Sequence, residues 1–389
     1  MKIKQIHINC VGGIDDLDLI FDDHMNIISG PNGIGKTTIL ESVAQAFAGY
    51  ESNLLKRMVS SECGTVTTYV DSGNGQIEKQ TYNISQFSPR KNENTQPFEH
   101  YIKHLISLKV ARTFTYVALD AVSRDADRNP YNTSNSNKNG VNLTEVKSWF
   151  VNRYLYSAHP GALTDIRMHN FERAKTFFSL LNSEYRFSRV DAGTNEIMVN
   201  TPTGEIYYEY LSSGFKSCLS ILFGIVKEIE FRFAESDIKL DEFEGVILID
   251  ELELHLHPEW QAKISTILAQ AFPNAQFITT THSPHIIQAA MPNQVVALHH
   301  TNGKIQRKSL PSSEYGYQGW TVEEVLTDVM GLGDTRTDVY QDAIQSFQRA
   351  VDEDNYKGGI LAFEKLEKLL HPENNLRKLL SFQLGAIKG

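Results

Sequence analysis

Gly30-Pro31-Asn32-Gly33-Ile34-Gly35-Lys36-Thr37 fits G-x-x-x-x-G-K-[ST] at every specified position. Glycines at that spacing let a backbone curl until successive N–H groups point inward, at the oxygens of a phosphate. A helix opening at the end of the loop adds the positive end of its dipole. Lys36 supplies a cation able to reach β- and γ-phosphates, and the Thr37 hydroxyl supplies a hard oxygen for Mg²⁺. A second group stands far along the chain. Val246-Ile-Leu-Ile249 is a short apolar run that ends in Asp250 and Glu251. On the edge of a strand, Asp250 would hold Mg²⁺ through its water shell, and Glu251 would polarise an attacking water as general base. Two acids opening a helix, where they favour its dipole, are the plainer account of the pair. The phosphate loop weighs against it.

Residues 25–29 (MNIIS) predict a short strand into the loop, and 36–48 (KTTILESVAQAFA) predict a helix. Ile39, Leu40, Val43, Ala44 and Phe47 fall at helical spacing. Residues 3–9 alternate as a half-buried strand, and 17–21 form a second after the Gly12-Gly13 turn. A hairpin is expected over 65–83, around Asp71–Gly75. Residues 101–110 are expected to be helical. Residues 122–143, rich in Asn, Ser and Asp, are expected to form an exposed, mobile insertion. Helices are predicted over 144–157 and 165–182, strands over 185–209, and an amphipathic helix over 213–234. Residues 245–249 predict a strand buried on both faces. A helix (259–272), a strand (275–281) and a hairpin (294–299, 304–310) follow. The tail, 320–383, reads as all helical and ends in helices over 338–352 and 356–370.

Leu211-Ser212-Ser213-Gly214-Phe215-Lys216 opens the helix expected from 213. Ser212 or Ser213 can cap it. A helix N-terminus bearing Ser and Gly can also close on a γ-phosphate held by another subunit. Here the sequence resembles the signature segment of ABC-type ATPases, in the form used by the SMC- and RecF-like branch. Phe215 departs from the pattern, which commonly has Glu or Gln there. Phe277-Ile-Thr-Thr-Thr281-His282-Ser283-Pro284 resembles the switch-histidine element of the same superfamily. That resemblance implies that His282 contacts the γ-phosphate and links it to the dimer state. Glu251-Leu-Glu253-Leu-His255-Leu-His257-Pro258 is similar to the segment that crosses the dimer interface in RecF-like and SMC-like ATPases. A metal site at His255 and His257, with Glu251 and Glu253 nearby, is the alternative.

The resemblance implies an α/β fold: an ABC-type P-loop ATPase head with a mixed sheet, a helical insertion and a helical C-terminal region. The expected core is 1–50 with 205–312. The expected insertion is 51–204, a β-hairpin lobe followed by helices, and 313–389 is the C-terminal helical region. ATP and Mg²⁺ are the implied cofactors. Each site would use Gly30–Thr38, Thr38 included, with Asp250, Glu251 and His282 of one subunit and Ser212, Ser213 and Gly214 of the other. A homodimer or higher homo-oligomer follows. Between Thr38 and Tyr210 there is no sustained heptad pattern, which sets the chain apart from SMC proteins with their long coiled coil. After Pro284 the Asp-x-Asp that occurs, Asp352-Glu353-Asp354, stands in a stretch that reads as helical rather than α/β, and no HNH-like cluster occurs. No nuclease constellation is therefore expected on the chain itself. Residues 321–336 (TVEEVLTDVMGLGDTR), followed by two short helices, resemble the end of the ATPase subunits of Septu-type phage-defence systems, some of them retron-associated. In that group a separately encoded nuclease effector does the cutting. The alternative is a RecF-like DNA-repair clamp, with Lys103, Lys109, Arg112, Arg124 and Arg128 touching DNA phosphates.

Composition bounds these readings. A length of 389 residues allows two domains, or one large domain with insertions. Hydrophobic residues at 41% and charged residues at 22% are globular values, which excludes wholesale disorder. Thirty-seven basic and 47 acidic residues give a charge of −10. That excludes a uniformly basic nucleic-acid coat and leaves room for a local basic groove. Cys10, Cys63 and Cys218 make no C-x-x-C pair, which argues against a disulfide framework and a cysteine zinc site. The start alternates polar and apolar residues, so no signal peptide is expected. No apolar run approaches the ~20 residues of a membrane span. A soluble, cytoplasmic protein without a membrane partner is expected.

Overall fold

Val246 and Leu248 face one apolar core while Ile247 and Ile249 face another, and all four are buried. A strand dry on both faces must lie inside a sheet covered on both sides. The computed structural model describes every residue except 49, 53, 113–115, 117, 120, 122–124, 126–128, 312, 334–335 and 388–389. In chain order its strands are β1 (Lys2–Val11), β2 (Ile14–Ile20), β3 (Met25–Ser29), β4 (Tyr50–Ser52), β5 (Gly64–Asp71), β6 (Ile77–Ile84), β7 (Glu93–Thr95) and β8 (Leu105–Leu108). There follow β9 (Arg186–Val190), β10 (Ile197–Thr201), β11 (Gly204–Tyr207), β12 (Val246–Ile249), β13 (Gln276–Thr280), β14 (Val295–Thr301) and β15 (Lys304–Arg307). The helices are α1 (Lys36–Ala48), α2 (Pro130–Asn139), α3 (Val146–Ser157), α4 (Asp165–Lys175), α5 (Phe177–Leu181) and α6 (Ser213–Arg232). After them come α7 (Pro258–Ala271), α8 (Pro284–Ala289), α9 (Val322–Glu324), α10 (Asp338–Asp352), α11 (Tyr356–Leu369) and α12 (Asn375–Ala386).

The central sheet has the order β15-β14-β3-β13-β12-β8. Its neighbours pair in parallel except β15, which returns antiparallel on β14. This is the mixed sheet expected of the fold. A second, antiparallel sheet has the order β2-β1-β5-β6, and α1 packs between the two. Buried Gln276 ties the sheets together. Its amide donates to the carbonyls of Ile3 and Asp22, both at 2.8 Å, and its oxygen accepts from Ile3 N at 2.7 Å. The other face of the central sheet is covered by helices around an aromatic cluster. Phe223 of α6 stands 5.0 Å from Phe150, 5.8 Å from Phe178 and 6.1 Å from Trp149 between ring centroids.

Three sequence expectations change. Leu105–Leu108 lies in the stretch expected to be helical, yet it is β8, paired in parallel with β12 after a short 3₁₀ turn. Four consecutive apolar-rich residues buried on both faces leave no periodicity to separate strand from helix. Pro130–Asn139 lies in the stretch expected to be an exposed loop, yet it is α2. Asn129 caps it, accepting from Asn132 N at 2.8 Å, and Pro130 suits its first turn. Its inner face is polar: Thr133, Ser134 and Asn137 are buried, and Asn137 donates to the Ile102 carbonyl at 3.0 Å. Hydrogen bonds do there what apolar residues do elsewhere. The expected mobility of 122–124 and 126–128 concerns residues outside those described. In the tail, α10 and α11 fall where expected, and α12 is a further helix.

The stretch 51–204, expected as an insertion, supplies β5 and β6 to the antiparallel sheet and β8 to the central one. Met1–Gly331 forms one compact unit and Leu332–Gly389 another. The second has its own core of Tyr340, Ala343, Phe347, Ala362, Leu366 and Leu380. Among the described residues no helix is long and apolar enough to cross a membrane. Phe223→Ala should lower unfolding stability by about 3–5 kcal/mol, because the ring leaves a cavity among Trp149, Phe150, Phe177 and Phe178. Urea denaturation checks this, and a loss below about 1 kcal/mol would mean the cluster collapses to fill the gap.

Candidate nucleotide site

β3 is buried throughout and ends at Ser29, so the chain must turn sharply to start α1 at Lys36. Gly30 takes φ +152° and Gly35 φ +95°. A Cβ at Gly30 would stand 2.6 Å from the Leu298 carbonyl oxygen, and one at Gly35 3.1 Å from the Ile14 side chain. Glycine is the residue that fits at both places. Lys36 folds over the loop and donates from Nζ to the carbonyls of Gly30 (2.8 Å) and Pro31 (3.0 Å). Phosphate oxygens, being anionic, would accept more strongly than these carbonyls. Burial lowers the Lys36 pKa to about 8, against the opposing pull of Glu253, Asp250 and Glu251. Asn32, Gly33 and Ile34 complete the turn, with Ile34 buried beneath it, and Thr38 lies in the first turn of α1.

Asp250 leaves the end of β12, and its N–H donates to the Leu108 carbonyl at 3.0 Å. Thr280, at the end of β13, aligns both acids. Its hydroxyl donates to Asp250 Oδ1 at 2.6 Å and accepts from the Glu251 N–H at 2.8 Å. Thr37 Oγ1 lies 3.2 Å from Asp250 Oδ2, so the loop hydroxyl and the strand acid converge. Two hard oxygens meeting beside a phosphate loop fit Mg²⁺. Glu251 takes φ +49°, a left-handed conformation costly for a side-chain-bearing residue.

Glu253 holds the segment that follows β13. Its carboxylate accepts from Thr281 Oγ1 at 2.7 Å and from the His282 N–H at 2.5 Å. Gln261 of α7 reaches the same segment: Ser283 Oγ donates to its oxygen at 2.6 Å, and its amide donates to the Leu256 carbonyl at 2.8 Å. Desolvation first, and the Lys36 ammonium second, lower the His282 pKa. The ring is thereby held toward its neutral form, and it is close enough to Lys36 to feel its charge.

At the opening of α6, Ser212 is the cap, accepting from Phe215 N at 3.3 Å. Ser212 and Ser213 are exposed, and Gly214 is buried where a Cβ would meet Trp260 at 3.1 Å. Phe215 is 4% exposed and packs edge-on to Trp260 at 5.5 Å and beside Tyr185 at 5.1 Å. Apolar packing between α6 and α7 thus accounts for the departure at this position. His257 caps α7, accepting from Glu259 N at 3.4 Å. Exposed His255 takes φ +65°. Among the described residues no group of three or more His, Cys, Asp or Glu is placed to hold a metal.

Sequence reasoning misplaced one residue of this site. Arg112, counted among cations for DNA, is 3% exposed and donates to the backbone carbonyls of Asp250 and Glu251. The missed strand hid it: once β8 is seen beside β12, the residues after β8 must sit next to the acids. Of the other cations in that group, Lys103 is exposed, Lys109 lies 3.6 Å from Glu41, and Arg124 and Arg128 fall outside the described residues. Thr280 was also passed over, although three threonines in a row at a strand end signal hydroxyl chemistry.

An apolar strand that hands two acids to a glycine loop opening a helix is the arrangement of a P-loop ATPase, and that is the class of this protein. The protein family described as "AAA domain, putative AbiEii toxin, Type IV TA system" matches residues 93–288. A Septu protein PtuA of Bacillus thuringiensis is 41% identical over 396 residues, spanning 99% of this chain and 98% of that protein. The chain belongs to the Septu PtuA family and is an ATPase of a defence system. A retron Ec83 probable ATPase of Escherichia coli is 31% identical over 55% of this chain and 40% of its own length. Among solved structures, the SMC head domain from Thermotoga maritima aligns with a TM-score of 0.44 at 15% identity, covering 80% of this chain and all of that one.

Lys36 gives nucleotide binding a pH dependence of definite sign. A bound phosphate raises the ammonium pKa again, so affinity is flat below about pH 8 and falls above it by up to about tenfold per unit. Titrating nucleotide binding between about pH 7 and about pH 9.5 checks this. Constant affinity across that range would mean the ammonium keeps its proton. Gly30→Ala should cost about 1–3 kcal/mol of stability through the clash with Leu298, read from the thermal midpoint.

Proposed function

We propose that the chain binds and hydrolyses ATP at Gly30–Thr38, and that ATP draws two heads together to control a separately encoded nuclease effector. The observation that carries this reading is the convergence of Lys36 and Thr37, at the start of α1, with Asp250 and Glu251, at the end of β12, on one edge of the central sheet. The loop N–H groups and Lys36 bind the phosphates. Thr37 and Asp250 would hold Mg²⁺, which supplies charge neutralisation at the transferring phosphate. Glu251, fixed through its backbone by Thr280, takes the proton of the attacking water. His282, held toward its neutral form by desolvation and by Lys36, offers a ring nitrogen to the γ-phosphate. Exposed Ser212 and Ser213, with Gly214, close on the nucleotide of the second subunit, adding the helix terminus of α6. Binding energy then appears as a change of assembly that an effector can read.

Membership of the Septu PtuA family supports the defence setting. The alternative, a DNA-repair clamp, loses one cation to the interior with Arg112 and has a second, Lys109, beside Glu41. The test uses the chain purified with its neighbouring genes. Lys36→Ala should strongly weaken nucleotide binding. Glu251→Gln should keep binding, lower turnover by roughly a hundredfold or more, and hold the complex in its ATP-bound assembly. A native mass made only of multiples of 43.9 kDa, with salt-sensitive duplex binding, would favour the clamp instead.

A further inference from the structure

Arg112 follows β8 at the carboxyl edge of the central sheet, next to the strand that carries Asp250. One terminal nitrogen donates to the carbonyls of Asp250 (3.0 Å) and Glu251 (2.5 Å). The other terminal nitrogen and Nε are buried and reach no hydrogen-bond partner. A guanidinium has five N–H donors and does not give up its charge in a protein. Burying two of its nitrogens bare is costly, and such a group calls for a partner. Its charge is balanced through space by Asp250, Glu253 and Glu251. The same three acids act on Lys36 and on His282. Arg112, Lys36 and the ring of His282, from β8's end, the phosphate loop and the segment after β13, thus share one set of acids. Mg²⁺ held by Thr37 and Asp250 would supply charge neutralisation there and so offset part of that acid charge. A phosphate would restore the balance, being the anion a guanidinium binds best.

We propose that Arg112 is a ligand of the terminal phosphate within its own subunit. Its unpartnered nitrogens take an oxygen of the γ-phosphate, while the third keeps hold of the backbone of both acids. The inference rests on nucleotide occupying the Gly30–Thr38 loop. It makes Arg112 the discriminator between triphosphate and diphosphate, and it ties the presence of the γ-phosphate to the strained peptide at Glu251. Arginine does both tasks because it carries three nitrogens on one rigid plane.

The test measures affinity for ADP and for a non-hydrolysable ATP analogue on the full chain. The variants are Arg112→Met, Arg112→Lys and, as a control on the loop, Lys36→Ala. Lys36→Ala should weaken both nucleotides. Arg112→Met should weaken the triphosphate roughly ten- to hundredfold and ADP less than about threefold. Arg112→Lys keeps a donor for the two carbonyls but has no further planar nitrogens, so it should fold even if Arg112→Met does not, and still lose most of the preference. An unchanged ratio of the two affinities in Arg112→Lys overturns the proposal and leaves the phosphate loop standing. A parallel loss of both nucleotides together with a lower melting temperature also overturns it, since that is the mark of a purely structural arginine. Unchanged affinities in Lys36→Ala would remove the nucleotide reading itself, and this inference with it.

Discussion

β13 lies between β3, which carries the phosphate loop, and β12, which carries the acids. No backbone pairing joins loop to acids directly. The hydroxyl of Thr280 closes that gap on one side, with one bond to the Asp250 carboxylate and one from the Glu251 N–H. Thr37 closes it on the other, meeting the same carboxylate. The rest of the site hangs on this pair of hydroxyls around one buried acid. A parallel sheet makes it possible, because every strand then delivers its last residue to the same edge. The register puts Thr280 opposite Ile28 and Ile249 opposite Thr279, so both strand ends stop level with the loop.

The ends of the central strands also connect outward. Arg232, near the C-terminus of α6, donates to the carbonyl of Leu105 and pairs with Glu228 at 2.9 Å, with both side chains buried. Breaking such a pair is expensive because the remaining charge is stranded in a dry interior. β8 is thus gripped at its start by the helix whose other end bears Ser212–Gly214. Four residues beyond its end stands Arg112, on the backbone of the acids. One short strand joins the segment that would meet a second subunit to the groups that would meet phosphate.

The phosphate loop, the acids and the strands of β3 and β12 were legible because their chemistry is local. A loop pattern, an apolar run and a following acid are all written within a few residues. The ranges 25–29 and 36–48 match β3 and α1 to the residue. β8 was not legible, since four buried residues carry no period and only the neighbouring strand makes them a strand. α2 was hidden for a different reason. Its buried face is Thr, Ser and Asn, and a pattern search that looks for apolar stripes reads such a face as solvent. Arg112 went with β8: its type suggested a surface phosphate contact, and only tertiary placement shows a cation sealed inside. Thr280 and Glu253 have ordinary types for their neighbourhoods, and their roles exist only as distances.

Glu251 sits at φ +49°, a conformation that glycine or asparagine would hold at less cost. The residue expected to do the chemistry is therefore a poor choice for stability at its own position, by about 1–3 kcal/mol. A lineage of this chain released from the need to turn over nucleotide would gain by replacing it, and the replacement would look like an improvement in any assay of folding. Among thermostable variants of this chain, a glycine or asparagine at this position would therefore mark one that keeps the scaffold after giving up the reaction.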